Sequence, residues 1–328
     1  MKKLNISNKI LYWYDNNNRQ LPWRKIISKN QRQYFTLVSE FMLQQTKVNT
    51  VIPYFENFIK KIPNLQKLAK VNDQKLLKCW EGLGYYLRAR NLKRTAQIII
   101  SDFKGSLPSN LKDLKTLPGI GDYTSKAILS IVFNKPTVPL DGNVERVLKR
   151  ALYLKKEKEI SKENLNKKKY FFGKSTRSGD YAQAIMEIGA LICKPKLPLC
   201  YKCPIQKICI AYKKKDFEIS TTKKFNKIRY FQADIFKKNS KYYLIKNNKF
   251  NFLKNLLIFP MKEIDKKKYK LSLNKRINIK MSNMDMKIII NEENKNLRSN
   301  KTILMDKNDI NKYILPSFTK KIFRSVSK

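Results

Sequence analysis

Leu117-Pro118-Gly119-Ile120-Gly121 sits between two amphipathic segments. Leu111, Leu114 and Leu117 mark the first, and Ala127, Ile128, Ile131 and Val132 mark the second, each at helical spacing. Two glycines let the chain turn tightly, and a helix that starts there points free N–H groups outward. Such a hairpin of helices holds a phosphate without reading a base sequence. Taken alone, P-G-x-G is more often a plain turn. Gly119 and Gly121 gain their meaning from what lies downstream.

Downstream stand Cys193, Cys200, Cys203 and Cys209, spaced C-x6-C-x2-C-x5-C. Four thiolates this close in sequence suit one metal centre, either Zn²⁺ or an iron–sulfur cluster. Structural zinc usually shows two short pairs separated by a longer spacer. One C-x2-C flanked by two single cysteines fits a cubane [4Fe–4S] cluster better. Cys79 is isolated. The chain has no histidine, which removes His-based triads, His zinc ligands and His general bases together.

With 328 residues, 42% of them hydrophobic, the chain is long enough for two or three domains with real cores. Lys and Arg number 71 against 25 Asp and Glu, a net charge of +46. That excess calls for a polyanionic partner, most simply nucleic acid. Codon bias of an AT-rich genome also enriches Lys, Asn and Ile, and part of the charge has that origin. Met1-Lys2-Lys3-Leu4-Asn5 leads into no apolar signal core, and no run of about 18 apolar residues offers a membrane span. A reducing, cytoplasmic location is expected.

Residues 1 to about 213 read as mainly helical, with runs at Ile6–Tyr14, Phe35–Phe58, Leu76–Trp80, Leu87–Ile100, Tyr123–Phe133, Val144–Leu154 and Tyr181–Ile192. Proline 53 is among the residues that punctuate these runs. Lys213 to Lys227 reads as a linker. Short apolar or alternating runs follow at Tyr230–Phe236, Tyr242–Ile245, Leu256–Phe259 and Met284–Ile290, the pattern of a small α+β domain.

Two carboxylates draw attention. Glu40 lies within Ser39-Glu40-Phe41-Met42-Leu43-Gln44-Gln45-Thr46, among apolar neighbours. Most helical glutamates face water; a buried one has a raised pKa and serves as an acid near neutrality. Asp141, in Leu140-Asp141-Gly142-Asn143-Val144, is placed to cap a helix. A capping carboxylate stays ionised, and beside a sugar C1′ it stabilises an oxocarbenium-like transition state. Gln44 and Gln45 offer amides to a base stack. Tyr85, in Gly82-Leu83-Gly84-Tyr85-Tyr86, is either a core ring or a wedge between bases. Arg88, Arg90 and Arg94 follow as candidate phosphate contacts or a plain solvated face.

Together these stretches resemble the MutY-type adenine DNA glycosylases of the helix-hairpin-helix superfamily. The matching landmarks are Leu21-Pro22-Trp23-Arg24, Ser39 to Thr46, Val51-Ile52-Pro53-Tyr54-Phe55, Gly82 to Tyr86, Pro118 to Gly121, Leu140 to Val144 and the four cysteines, in the family's order over residues 10 to 213. The resemblance implies a two-subdomain helical core: a six-helix barrel over 22–134, and a cluster-bearing part from 1–21 plus 135–213. A linker over 214–228 and a degenerate Nudix-like lesion-recognition domain over 229–328 would follow. It implies adenine excision from double-stranded DNA with A:8-oxoguanine or A:G mispairs, by a monomer carrying one [4Fe–4S] cluster on Cys193, Cys200, Cys203 and Cys209. Glu40 would protonate the flipped adenine at N7 and Asp141 would stabilise the oxocarbenium ion. Tyr123 and Asn143 would order the site, and Gln45 and Tyr85 would wedge into the duplex. Arg24, Gln44, Gly119 and Gly121 would contact DNA.

The endonuclease III branch shares the hairpin, the aspartate and the cluster, but places a Schiff-base lysine two residues after the hairpin's second glycine. This chain has Tyr123 there, and a phenol forms no imine. A monofunctional glycosylase is therefore expected. A bifunctional glycosylase/lyase and a non-catalytic cluster-bearing DNA-binding descendant are the alternatives. In the tail, Phe252 to Pro260 resembles a family landmark, and Met281-Ser282-Asn283 stands where a Phe-Ser-His loop is expected. Ser282 is the lesion-reading candidate. The missing histidine predicts weaker discrimination of 8-oxoguanine from guanine.

Overall fold

A computed structural model of the chain describes residues 6–25, 28–218, 227–281, 284–293 and 302–326. The chain forms two compact units, 1–71 with 90–221 and 72–89 with 222–328. In chain order the helices up to the linker are α1 (Ile6–Asn17), α2 (Lys29–Leu43), α3 (Val48–Lys61), α4 (Leu65–Lys70), α5 (Asp73–Trp80), α6 (Leu87–Asp102), α7 (Leu111–Thr116), α8 (Asp122–Ile131), α9 (Gly142–Leu152), α10 (Lys162–Lys168), α11 (Ser178–Glu187) and α12 (Ile210–Lys213).

Their starts are encoded locally. Side-chain oxygens of Ser28, Asn64, Asn72, Asn110, Asp141 and Ser161 each accept from the backbone N–H three residues on. Each bond satisfies an N–H that the helix itself leaves without an acceptor. The apolar run Phe35–Phe58 is broken at Gln44–Lys47, where Gln45 adopts a left-handed backbone with φ 57°. Pro53, by contrast, ends nothing, because α3 runs through it and buries Val51, Phe55 and Phe58.

In the first unit, Ile10, Leu11 and Tyr14 of α1 share a core with Val144, Val147 and Leu148 of α9 and with Ile185 and Ile188 at the end of α11. Trp23 and Phe35 meet Phe55 edge-on, at 5.4 and 5.3 Å between ring centres. Helix α11 packs so near α8 that a Cβ on Gly179 would stand 2.9 Å from the Ser130 carbonyl oxygen. Residues from both expected subdomains lie in this compact unit, and residues 72–89 cluster with the C-terminal unit. Glu81 explains this in part, since it is ion-paired with Lys320 at 2.8 Å.

The C-terminal unit is built on a mixed sheet: β1 (Lys227–Lys238), β2 (Lys241–Lys246), β3 (Leu257–Ile258), β4 (Met261–Ile264), β5 (Arg276–Met281), β6 (Met284–Glu293) and β7 (Thr302–Asp306), with α13 (Lys266–Leu271) and α14 (Ser317–Val326). The order is β3-β2-β1-β6-β5, with β4 added to β1 and β7 to β2. β1 runs parallel to β6, from Lys227 opposite Met284 to Phe236 opposite Glu293. Phe231, Ala233 and Ile235 alternate inward from β1, and Met286, Ile288 and Ile290 do so from β6. Phe323 of α14 packs on Phe259 and Tyr242, at 4.7 and 5.1 Å. The sequence pattern alone does not disclose β4, β5, β7, α13 or α14. Ser282 and Asn283 lie outside the described residues.

The hairpin glycine makes the fold testable. Gly119 has φ 81°, and an added Cβ would stand 2.8 Å from Phe41 Cε1 and 3.1 Å from Asn91 Cβ. Gly119→Ala should destabilise the protein by about 1–3 kcal/mol through strain and overpacking. Gly121 has open space and no positive φ, so Gly121→Ala should have a much smaller effect. Denaturant midpoints of the two variants check this.

Candidate active site

A cavity of about 990 Å³ opens within the helical unit. Glu40 from α2, Tyr123 from α8, and Asp141 and Asn143 at the start of α9 all line it. Residues from three separate stretches of sequence therefore face one space large enough for a nucleobase.

Glu40 is 6% exposed, and its Oε2 has no hydrogen-bond partner among the described residues. Burial raises its pKa to about 7, and the Asp141 charge pushes it the same way. A bond from Tyr123 and the charge of Arg24 pull it back. The Tyr123 hydroxyl lies against both the Glu40 carboxylate and the Met186 sulfur, the latter at 3.3 Å. The hydroxyl donates to the sulfur, and it lies close enough to the carboxylate, the better acceptor, to favour the Glu40 anion. Burial and the Glu40 charge hold the phenol well above its ordinary pKa, so it stays a neutral donor.

Asp141 caps α9. Its Oδ1 accepts from the Val144 N–H at 2.7 Å, and its Oδ2 accepts from the Asn143 amide at 3.1 Å. Burial nevertheless outweighs these bonds, and its pKa is raised, not held at its ordinary value as capping alone suggests. The two carboxyl groups differ in support. Asp141 has its N–H bonds and the nearby Arg146 charge favouring the anion. Glu40 has an unpartnered oxygen. Proton sharing in this cavity therefore leaves Asp141 charged and Glu40 protonated.

Arg146 was not foreseen. It donates to Asn143 Oδ1 at 2.8 Å, to the Gly189 carbonyl at 2.7 Å and to the Cys193 carbonyl at 2.7 Å. The first bond turns the Asn143 amide so that its NH₂ faces Asp141. Arg150, one turn on and 4% exposed, donates to the carbonyls of Lys194, Pro195 and Phe217. Two arginines on one helix thus pin the cysteine-bearing segment to the aspartate's own helix. Their spacing of four among Val144, Val147 and Leu148 was the available signal.

Arg24 lines the cavity, but its guanidinium is committed to protein: to Glu187 Oε1 at 2.8 Å, Gln183 Oε1 at 2.8 Å and the Arg19 carbonyl at 3.0 Å. Arg19 also pairs with Glu187, which is 1% exposed. Among the described residues no lysine lines the cavity. Lys126 is paired with Asp122 at 2.6 Å and with Asn166 at 3.1 Å.

At the cavity rim, the Gln44 amide donates to the Gly119 carbonyl at 3.1 Å, tying the end of α2 to the hairpin. Thr95 fixes the same turn through the Pro118 carbonyl at 2.8 Å. Gln45 is exposed there with its left-handed backbone. Tyr85, in the other unit, also has a positive φ, 47°, and is 40% exposed. Arg88 is buried, lies over the Trp80 and Tyr85 rings and donates to the carbonyls of Leu83 and Gly84. It props the Tyr85 loop and is no surface phosphate contact. Arg90 is half-buried and Arg94 exposed.

Cys193, Cys200, Cys203 and Cys209 line one small, mainly apolar pocket with Val147, Ile188 and Ile192. All four are free thiols. Among the described residues no three His, Cys, Asp or Glu side chains are grouped as ligands of a metal ion. Burial pushes the Cys203 thiol up to about 12, and neighbouring thiolates add to the rise. Cys200 and Cys209 shift upward for the same reasons. Four thiols converging on an apolar pocket ionise together only if a cationic centre lies between them. The donor set therefore fits a thiolate-bound metal cluster.

Residues 38–169 match the family model described as HhH-GPD superfamily base excision DNA repair protein. The chain is 39% identical over 259 residues to the adenine DNA glycosylase of Buchnera aphidicola subsp. Schizaphis graminum, a match covering 76% of this chain and 73% of that one. The adenine DNA glycosylase of Buchnera aphidicola subsp. Baizongia pistaciae is 36% identical over 97% of this chain and 96% of its own length. The mouse adenine DNA glycosylase is 40% identical over 62% of this chain, a match that spans 41% of the mouse protein. Among solved structures, a thermostable thymine-DNA glycosylase aligns over 63% of this chain and 95% of its own, with a TM-score of 0.55 and 27% identity.

The buried acid has a stability cost that tests its placement. Below the ordinary glutamate pKa of 4.5, Glu40 is protonated whether the chain is folded or not. As pH rises from there to about 7, only the unfolded chain ionises, so stability falls. Above about 7 the penalty is complete, about 3 kcal/mol for this separation. Glu40→Gln removes it. The variant's gain in thermal stability should grow from pH 5 to pH 8. A gain independent of pH would mean that Glu40 is solvated.

Proposed function

The chain belongs to the adenine DNA glycosylase family of base excision repair, and on that premise we propose that it hydrolyses the N-glycosidic bond of an adenine mispaired with 8-oxoguanine or guanine, as a monofunctional enzyme acting on double-stranded DNA. The observation that carries this reading is the Glu40–Asp141 pair in one cavity, with only Glu40 poised to give a proton near neutrality.

Adenine is a poor leaving group until it is protonated. The base must first leave the stack, at a cost of about a few kcal/mol. In the cavity, Glu40 Oε2 donates its proton to N7, and the phenol of Tyr123 fixes the other side of the carboxyl. The C1′–N9 bond then breaks, and positive charge grows on the sugar. Asp141 stabilises that charge, its carboxylate held in place by the Val144 N–H and the Asn143 amide. Water adds at C1′. The absence of lysine from the cavity lining, among the described residues, and the pairing of Lys126 both support hydrolysis over imine formation. Gln45 and Tyr85, both held with positive φ, are the wedges that offset lost stacking. The hairpin at Gly119 and Gly121 takes the backbone phosphates.

Cys193, Cys200, Cys203 and Cys209 would hold the [4Fe–4S] cluster. When bound it closes residues 193 to 209 into one cross-linked loop, which Arg146 and Arg150 anchor to α9. The C-terminal unit is the reader of the base opposite adenine, with Ser282 its candidate contact. Without a histidine beside Ser282, the preference for 8-oxoguanine over guanine is modest.

Single-turnover excision on duplexes with adenine opposite 8-oxoguanine, guanine and thymine tests this reading. The parent should release adenine from the first two, fastest below pH 7, with the rate falling about tenfold per pH unit above it as Glu40 ionises. Glu40→Gln should bind the same duplexes and release nothing. Borohydride should trap no covalent adduct. Adenine release by Glu40→Gln at the parent's rate would remove Glu40 as the acid, and efficient trapping would assign a lyase.

Anaerobically prepared protein should contain about four iron atoms per chain and absorb broadly in the blue. Stoichiometric zinc without iron would overturn the cluster assignment.

A further inference from the structure

Glu81 stands immediately before the loop that carries Tyr85. Its side chain is only 12% exposed, in a chain where acidic residues are outnumbered almost three to one. Oε1 accepts from Lys320 of α14 at 2.8 Å and from the Leu315 N–H at 3.4 Å. Oε2 accepts from Lys78, one turn back on α5, at 2.8 Å. Both oxygens are thus occupied. The hydrogen bonds from Lys320 and Lys78 outweigh burial and hold its pKa below the ordinary value.

The loop beyond Glu81 needs such an anchor. Gly82, Gly84 and Tyr85 have φ values of 106°, 72° and 47°. A left-handed tyrosine is strained and persists only where its surroundings over-determine it. From within the loop, the Trp80 indole N–H reaches the Gly84 carbonyl at 3.2 Å, and Arg88 holds the carbonyls of Leu83 and Gly84. From outside it, Glu81 fastens the loop to α14. That helix is itself fixed, because Phe318, Ile322, Phe323 and Val326 lie in the core of the sheet, and Leu315 is fully buried.

We propose that Glu81 is a positioning residue, clasped by Lys320, through which the C-terminal helix sets the conformation of the Tyr85 wedge. This rests on the adenine-excision reading and adds to it. The C-terminal unit then does more than meet the opposite base, because it also holds the loop that helps to open the duplex. A wedge matters only while the adenine must be pulled from a stack. It contributes little when the adenine is already unpaired.

The experiment compares single-turnover excision by the full chain on two substrates: adenine opposite 8-oxoguanine in a duplex, and adenine in an unpaired internal loop. Glu81→Gln and Lys320→Met should each slow the duplex reaction about tenfold, the scale of one charge-assisted bond, and leave the unpaired substrate nearly unchanged. The double variant should be no slower than either single one. Lys320→Arg should restore the duplex rate, and Lys78→Met, which leaves the α14 contact in place, should have the smaller effect. Circular dichroism establishes that each variant is folded. Equal slowing of both substrates, additive effects, or unchanged duplex rates would overturn the clasp. A parent that releases adenine from neither substrate would overturn the excision reading instead.

Discussion

Two carboxyl groups facing one buried cavity cannot both stay ionised cheaply, and the rest of the helical unit is arranged around that constraint. The asymmetry between them comes from backbone geometry. Asp141 sits at a helix start, where an N–H that lacks a helical acceptor points at its oxygen. Glu40 sits in the last turn of α2, where every backbone N–H is already used. The helix-start position favours the anion and the helix-end position favours the neutral acid. Tyr123 and Arg24 temper the rise of Glu40, which keeps it near neutrality and able to exchange its proton. The catalytic difference between two similar side chains thus follows from where each lies on its helix.

That arrangement was legible in part. The cap at Asp141, the hairpin turn and the clustering of the cysteines are short-range patterns, and each survived folding because backbone sterics and capping act within a few residues. The burial of Glu40 was legible only as a condition, since apolar neighbours along a helix do not say which face is covered. Arg24 and Arg88 went the other way. Both were candidate DNA contacts, and both are folded against backbone carbonyls, Arg24 against Glu187 as well. Their long side chains bury their stems while the charged head finds acceptors. Sequence pattern registers the charge and not the direction of the head. Arg146 and Arg150 escaped for the same reason.

The C-terminal sheet was harder. Ile277 and Ile279 alternate cleanly in β5, yet Lys and Asn around them dilute the signal, as they do for β7. Phe318, Ile322 and Phe323 carry helical spacing in α14, but the run is short and lies near the end of the chain. Its importance appears only when Lys320 is seen beside Glu81, a pairing separated by more than two hundred residues. No local rule anticipates an ion pair of that span.

The acidic side chains say where the +46 charge acts. Glu187 and Glu81 are paired with arginine and lysine inside the fold, and Asp122 and Asp216 are paired with lysines nearer its surface. The surplus cations are left to the surface, where their attraction for a polyanion is diffuse and weakened by salt. Proton donation from Glu40 happens at a buried side chain, which mobile ions screen far less. Capture of DNA and breakage of the glycosidic bond therefore depend on different electrostatics. Salt acts on the first through every exposed lysine. The second is governed by one tyrosine, one capped aspartate and the depth at which Glu40 is buried. A chain with this composition binds any duplex readily, so discrimination has to come from the steps after capture, when a base is lifted from the stack into the cavity.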